Sequence, residues 1–239
     1  MNKKNVIITG GSRGYGYGIA KILTEKNYNV IITGRNKDSL EKAAVELECS
    51  FFRADITLTN DWDNLIDFAS NKFNSIDILI NNAGTGQSIQ NIDKQNDEDI
   101  IKSININLIG AILGCKKVIP FMKKQKDGII INISSVCARE AWPGWSVYSA
   151  AKAGLNQFSN CLYTELREYG IRVTTLMPSW GKTSFLKAAN LEQRDKALDE
   201  KVIQPEDLGK TVAYICDLPA HLNIQDITVW PLVQEVIPI

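Results

Sequence analysis

The chain has 239 residues, 27 Lys and Arg against 27 Asp and Glu, a formal net charge of zero and 44% hydrophobic residues. That length and apolar share suffice for one large domain with a real core, whereas balanced charge without a basic stripe argues against a nucleic-acid partner. Five scattered cysteines without a C-x-x-C pair, and a single histidine at His221, give no support to a disulfide framework, a metal site or histidine-based catalysis. No apolar run approaches the ~20 residues that cross a bilayer, and Met1 to Asn5 leads into a strand-like run without a signal pattern, so a cytoplasmic protein with no membrane partner is expected.

Short β-branched runs alternate with helix-length stretches along the chain. The first run, Val6 to Thr9, enters Thr9-Gly10-Gly11-Ser12-Arg13-Gly14-Tyr15-Gly16, followed by a helix expected over Tyr17 to Lys26. Glycines at 10, 14 and 16 allow a sharp turn, a close approach to a pyrophosphate and tight packing of the helix start, with the helix N-terminus facing the phosphates. Alone, the trio also fits an ordinary glycine-rich turn. After the second run, Val30 to Thr33, stands Gly34 where an enzyme of unphosphorylated NAD would place a carboxylate. Arg35 is adjacent and Arg13 sits inside the loop, a pair suited to gripping a 2′-phosphate, so NADP(H) is favoured over NAD(H). The plainer alternative is two solvated surface arginines.

Strands are expected next over Ser50 to Arg53, leading to Asp55-Ile56, and over Ile76 to Ile80, leading to Asn81-Asn82-Ala83-Gly84. Asn107 falls in a long helix, and the strand Gly128 to Ile133 ends near Ser135. Tyr148 and Lys152, four residues apart on a helix running to about Tyr169, share one face, where an ammonium is expected to lower a phenol pKa of about 10. A Y-x-x-x-K pair is common by itself. Singly, Asp55, Ser135 and Asn107 read equally well as a helix N-terminal residue, a cap and a surface residue, and Lys152 as an exposed charge. Further strands are expected over Ile171 to Leu176 and Ile227 to Trp230, with a polar insertion or flap over Ser179 to Gln204 between them. This rhythm predicts one doubly wound α/β domain spanning 1–239, with a parallel sheet covered by helices on both faces.

The T-G-x-x-x-G-x-G loop, the N-N-A-G after the fourth strand, and Asn107, Ser135, Tyr148 and Lys152 at intervals of twenty-eight, thirteen and four together resemble the short-chain dehydrogenase/reductase family, over about Val6 to Met177. The resemblance implies a Rossmann-type sheet of about seven strands in the order 3-2-1-4-5-6-7. It implies NADP(H) held by Gly10, Ser12, Arg13, Gly14, Tyr15, Gly16 and Arg35, by Asp55 and Ile56 at the adenine, and by Asn82, Ala83 and Gly84 along the cleft. Pro178, Gly181 and Thr183 would hold the nicotinamide carboxamide, with Tyr148 and Lys152 at its ribose. In hydride transfer between the cofactor and a carbonyl/secondary alcohol substrate, Tyr148 is then the general acid/base. Ser135 polarises the substrate oxygen; Lys152 lowers the Tyr148 pKa, and Asn107 holds a water leading from Lys152 to solvent. A homodimer or homotetramer through the helices carrying Asn107 and Tyr148 is implied as well.

The chain departs from the family pattern at Ser179 and Gly181, which replace the usual glycine and Val/Ile, and at Tyr15, which replaces a small aliphatic residue. The first two leave open how the carboxamide is held. The ending Leu218-Pro219-Ala220-His221-Leu222-Asn223-Ile224, with Pro231 and Gln234, resembles a subgroup containing NADP-dependent 3-hydroxy-acid and serine dehydrogenases. Trp142, Trp145, Trp180 and Phe185 are candidates for an apolar substrate wall, with core-edge or interface packing as the alternative. A catalytically idle NADP(H)-binding sensor or scaffold is the rival from another functional class; a sugar-nucleotide epimerase is disfavoured by the short C-terminal part.

Overall fold

The apolar runs become strands β1 (Asn5–Thr9), β2 (Asn29–Gly34), β3 (Ser50–Arg53), β4 (Ile78–Asn81), β5 (Gly128–Ile133), β6 (Ile171–Pro178) and β7 (Asp226–Val229) in the computed structural model, which describes residues 3–86, 89–192 and 194–235. They form one parallel sheet in the expected order, β3-β2-β1-β4-β5-β6-β7. In register, Val6 lies between Val30 and Ile78, and Ile130 lies between Leu79 and Val173. The strand expected from Ile76 starts two residues later because the Gln125 carboxamide takes both backbone groups of Ile76, at 3.3 Å to its N–H and 3.2 Å to its carbonyl. At the other end β6 runs on through Pro178, where β7 still pairs alongside it as Pro178↔Val229.

Between the strands lie α1 (Gly14–Glu25), α2 (Lys37–Glu46), α3 (Thr59–Phe73), α4 (Asp97–Ile104), α5 (Gly110–Gln125), α6 (Ser146–Leu166), α7 (Phe185–Ala188), α8 (Lys196–Asp199) and α9 (Pro205–Asp217). Successive residues of a strand face opposite ways, so Ile7 and Ile8 belong to different cores. Val6, Ile8, Ile32 and Ile131 pack with Ile19 and Leu23 of α1, Leu40 of α2 and Val212 of α9. Ile7, Ile31 and Leu79 pack on the other face with Trp62 and Leu65 of α3, Val118 and Met122 of α5 and Leu162 of α6. Burial on both faces is why the strands read as continuous apolar runs rather than as alternating ones.

Three helix expectations need correction. The first helix starts at Gly14, so the end of the glycine loop is itself the first helical turn. The Tyr148 helix ends at Leu166 and is followed by a tighter turn over Arg167–Tyr169. The Asn107 helix is interrupted: a π-turn over Asn105–Ile109 joins α4 to α5, a wider winding that recurs at functional sites. The joined stretch Asp97–Gln125 spans 29 residues and is apolar enough, by length and composition, to cross a membrane, which the sequence reading did not foresee. Its fully buried Cys115, Val118 and Met122 form part of a core beneath the sheet.

A buried cation closes the far end of the sheet. Arg172 of β6 is 6% exposed, and its guanidinium donates to the carbonyls of Ile215 and Leu218 at 3.3 Å and of Cys216 at 3.4 Å. These carbonyls end α9, where the helix dipole favours a cation and the acceptors lack helical partners. Arg172→Met should therefore lower the unfolding free energy by about 2–3 kcal/mol, the cost of removing hydrogen bonds to a charged group and stranding buried acceptors. Denaturant titration would show this as a lower midpoint at unchanged slope; an unchanged midpoint would refute it.

Candidate active site

The carboxyl ends of β1, β4, β5 and β6 border a cleft of about 1500 Å³, where ligand sites of open α/β sheets form. The glycine loop makes its floor. Gly10 and Gly14 take left-handed backbone at φ +67° and +53°, and a Cβ at Gly16 would stand 2.2 Å from the Gly10 carbonyl oxygen, so only glycine permits this closure. The Asn82 side chain fixes the loop in place, its Nδ2 donating to Thr9 O at 2.8 Å and Gly10 O at 3.2 Å. Thr9 Oγ1 in turn accepts from the N–H groups of Asn82 and Ala83, both at 3.0 Å. N-N-A-G is thus first a clasp between β1 and β4, and its Asn82, Ala83 and Gly84 also line the cleft.

Ser12, Arg13 and Tyr15 of the loop face the cleft, as do Arg35, Asp55 and Ile56. Gly16 lies beneath it. Arg13 and Arg35 are exposed at its edge, and neither forms an ion pair among the described residues. A Cβ at Gly34 would meet nothing closer than Leu40 Cδ2 at 3.7 Å, so the missing carboxylate is not excluded by space. Asn36 and Ser39, which sequence reasoning passed over, line the same end; Asn36 Oδ1 accepts from Ser39 N at 2.8 Å and caps α2. The capping pattern was readable, but nothing in it pointed to a ligand. Asp55 Oδ1 is engaged by the Thr57 N–H at 2.9 Å and hydroxyl at 2.7 Å, so its local turn role is real alongside its place in the cleft. A helix N-terminus, a backbone cradle that any side chain would fill, and guanidiniums at the rim form a donor set that fits a dinucleotide.

Ser135, Tyr148 and Lys152 come together at the opposite end of the cleft. Tyr148 lies in the first turn of α6, and Lys152 one turn on donates from Nζ to Ile133 O at 2.8 Å. Both are buried, at 6% and 4% exposed. Ser135 Oγ accepts from Cys137 N at 3.2 Å and caps a short turn, so the plain capping role holds beside its position near Tyr148. Asn107 sits at the π-turn, and its carboxamide is committed to the loop after β4: Nδ2 donates to Thr85 O at 2.9 Å and Ser103 O at 3.0 Å, while Oδ1 accepts from Thr85 N at 3.1 Å. A Cβ at Gly84 would stand 3.0 Å from Asn107 Oδ1 and 3.7 Å from Lys152 Nζ, so both groups converge on that glycine.

The electrostatics correct one expectation. Burial pushes the Tyr148 phenol well above the usual tyrosine value, the Cys137 thiol acts in the same sense, and a hydrogen bond with Ser135 pulls it partly back. Burial likewise pushes the Lys152 ammonium down to about 8. Lys152 Nζ stands 5.8 Å from the Tyr148 ring centroid, yet desolvation dominates both groups, and the phenol is not eased toward ionisation as the spacing suggested.

The segment after β6 folds over the catalytic end. Gly181 bridges Ile203, and α7 and α8 lie within the loop thus closed. Phe185 of α7 stacks on Trp145 at 6.1 Å and meets Tyr148 edge-on at 5.4 Å; Trp145 meets Tyr148 at 5.7 Å and Trp142 at 6.4 Å. Trp180 lines the cleft but stands apart from this wall, under the Arg194 guanidinium at 5.8 Å. Pro178 and Thr183 border the cleft too, Thr183 packing within 3.3 Å of the Cβ position of Gly14. Gln234 ties the unusual segment down, its Oε1 accepting from the Ser179 hydroxyl and from Trp180 N at 3.1 Å. Gln234 and Arg194 both line the cleft; Gln234 reaches back more than fifty residues to partners that spacing could not reveal, while Arg194 bonds Gly181 O and Asp199 within its own segment.

A family model described as short chain dehydrogenase matches residues 4–194. An uncharacterised oxidoreductase of Staphylococcus aureus is 32% identical over 235 residues, covering 97% of this chain and 99% of the relative. Among solved structures, the closed form of serine dehydrogenase complexed with NADP+ is similar at TM-score 0.88 and 30% identity, covering 97% of this chain and 96% of that one. A 3-ketoacyl-(acyl-carrier-protein) reductase from Brucella melitensis complexed with NADH is similar at TM-score 0.88 and 30% identity, with 96% and 97% covered.

The buried lysine sets a pH signature. Its folded pKa of about 8 lies below the 10.5 of an ordinary lysine, so between these values the unfolded chain binds more protons and the Lys152 contribution to stability rises with pH. Unfolding free energies of the wild type and Lys152→Met, measured across that window, should change in the wild type's favour from about pH 8 upward, with a constant difference below about pH 7. A difference that stays flat throughout would show that burial does not depress this group.

Proposed function

The chain belongs to the short-chain dehydrogenase family, and from that membership we propose that it transfers hydride between NADP(H) and a carbonyl/secondary alcohol pair, with Tyr148 moving the proton. The observation that carries this reading is the gathering of Ser135, Tyr148 and Lys152 at one end of a cleft whose other end carries Arg13 and Arg35. NADPH, when bound, supplies the hydride. Tyr148, kept neutral by burial, is suited to donate its proton to the substrate oxygen in reduction, and the Ser135 hydroxyl hydrogen-bonds that same oxygen. Lys152 has three N–H donors and gives one to Ile133 O, which leaves donors for ribose hydroxyls beside Tyr148. Asn107 holds the loop that carries Gly84 and Thr85 against this site. Its proposed part in proton supply is to hold a water that leads from Lys152 to solvent.

NADP(H) over NAD(H) is supported by two rim guanidiniums without acidic partners and by room, but no carboxylate, at Gly34. The wall of Trp142, Trp145 and Phe185 around Tyr148 supports a ketone with an apolar or aromatic portion. Assembly into a dimer or tetramer is supported by the Asp97–Gln125 stretch, of whose most apolar window only 33% is buried within the chain.

Mixing the purified chain with NADPH and a panel of ketones, and following loss of nicotinamide absorbance, tests the activity. Tyr148→Phe should cut kcat by about 10²–10⁴-fold while leaving NADPH binding intact, and retained turnover would refute its role. Arg35→Asp should lower the NADPH over NADH preference in kcat/KM by about tenfold or more, the scale of one charge-assisted phosphate contact. Trp145→Ala should shift the ranking of aromatic against small aliphatic ketones; an unchanged ranking removes the aromatic wall from substrate selection.

A further inference from the structure

Tyr15 and Gly181, read from the sequence as two separate departures, meet in the fold. A Cβ at Gly181 would stand 1.7 Å from Tyr15 Oη, 2.3 Å from Cζ and 2.9 Å from Cε1. Gly181 is not among the residues with left-handed backbone, so glycine is required there for side-chain space, and the Tyr15 ring fills that space. The backbone of each partner is held, so only the Tyr15 ring could shift. Tyr15 follows Gly14 in the first turn of α1, and its hydroxyl donates to Ser179 O at 3.5 Å. The backbone at 181 is fixed by Arg194 Nη2 donating to Gly181 O at 2.6 Å, by bonds to Ile203 on both sides at 3.0 and 2.9 Å, and by Gln234 on Trp180. Both residues line the cleft at the end that holds Tyr148, and Tyr15 lies close enough to raise the Tyr148 pKa further.

We propose that Tyr15 and Gly181 form an interlocked pair in which the phenol, reaching from the glycine loop, provides the cleft wall that position 181 lacks, making Tyr15 a positioning residue for the nicotinamide ring. The proposal rests on the reading of the cleft as a nicotinamide-dinucleotide site. It links the diphosphate floor and the nicotinamide end through one rigid ring, so that a change in either partner is felt as misplacement of the nicotinamide rather than loss of the adenosine grip.

The test compares binding of NADPH with that of 2′-phospho-ADP-ribose, which lacks nicotinamide, by fluorescence titration of Tyr15→Ala, Gly181→Val, their double variant and Tyr15→Phe. Each of the first two should weaken NADPH about tenfold and 2′-phospho-ADP-ribose less than about twofold, whereas the double variant should return NADPH to within about threefold of wild type. Tyr15→Phe, which keeps the ring, should hold NADPH within about threefold of wild type, and its contrast with Tyr15→Ala carries the test should Gly181→Val not fold. Equal weakening of both ligands, an additive double variant, a tolerated Gly181→Val or a Tyr15→Phe defect specific to NADPH each overturns the pair. A wild-type chain that binds neither ligand overturns the cofactor reading and the pair with it.

Discussion

One hydrogen bond, from Lys152 Nζ to Ile133 O, carries a constraint that the rest of the cleft accommodates. An ammonium at 4% exposure has lost its water, and a single carbonyl dipole does not replace it. The folded protein answers by depressing the lysine's pKa. The neighbouring phenol faces the same low dielectric, which raises its pKa and so favours the neutral form there as well. The chain alone therefore holds a neutral phenol beside a lysine with donors to spare. Polar groups supplied beside Lys152 would stabilise its charged form and bring the Tyr148 pKa down with it. On the function proposed above, chemistry is in this sense conditional on occupancy, since the groups that would tune the phenol arrive with the ligand.

The sheet makes this concentration of polar groups possible. Parallel strands end at one rim, and the last residues of β1, β4, β5 and β6 leave apolar burial there together. Loops so exposed would ordinarily be mobile, but here they are tied to each other. Asn82 ties the glycine loop to the loop after β4, Asn107 ties that loop to the π-turn, and Gln234 ties the loop after β6 to the C-terminal end of the described chain. Each tie is made by a carboxamide, a side chain able to donate and accept at once, and each joins segments far apart in sequence. Site geometry therefore depends on tertiary clasps rather than on local turn preference.

That dependence explains what the sequence could and could not reveal. The alternation of strands and helices and the place of the glycine loop were legible from local periodicity, whereas strand order and the meeting of Ser135, Tyr148 and Lys152 were legible only through the resemblance to a family. The π-turn at Asn105–Ile109 was not legible: Asn, Ile and Leu continue an ordinary helix pattern, and the extra width follows from Asn107 bonding the Thr85 backbone. Trp180 looked equivalent to Trp142 and Trp145 by composition, yet its backbone is held against Ile203, and its ring lies under Arg194 rather than in the aromatic wall. The direction of the Tyr148 shift was misjudged for a related reason. Spacing gave the distance to Lys152, whereas the sign depends on burial, to which Trp145 at the start of the same helix and Phe185 from the segment after β6 both contribute.

Departures from a family pattern are best weighed in space rather than along the chain. Along the chain, Tyr15 is a large residue where the family pattern has a small aliphatic one, and Gly181 is a small residue where it has Val or Ile. Placed together they conserve volume, a large side chain on one element meeting none on the other, which packed interiors tolerate far better than either change alone. The same logic bears on Gly34, where the neighbours leave room for a side chain and none is present. There the vacancy has no compensating ring. What stands beside it is Arg35 at the cleft's edge, so volume accounts for the glycine at 181 and does not account for the one at 34.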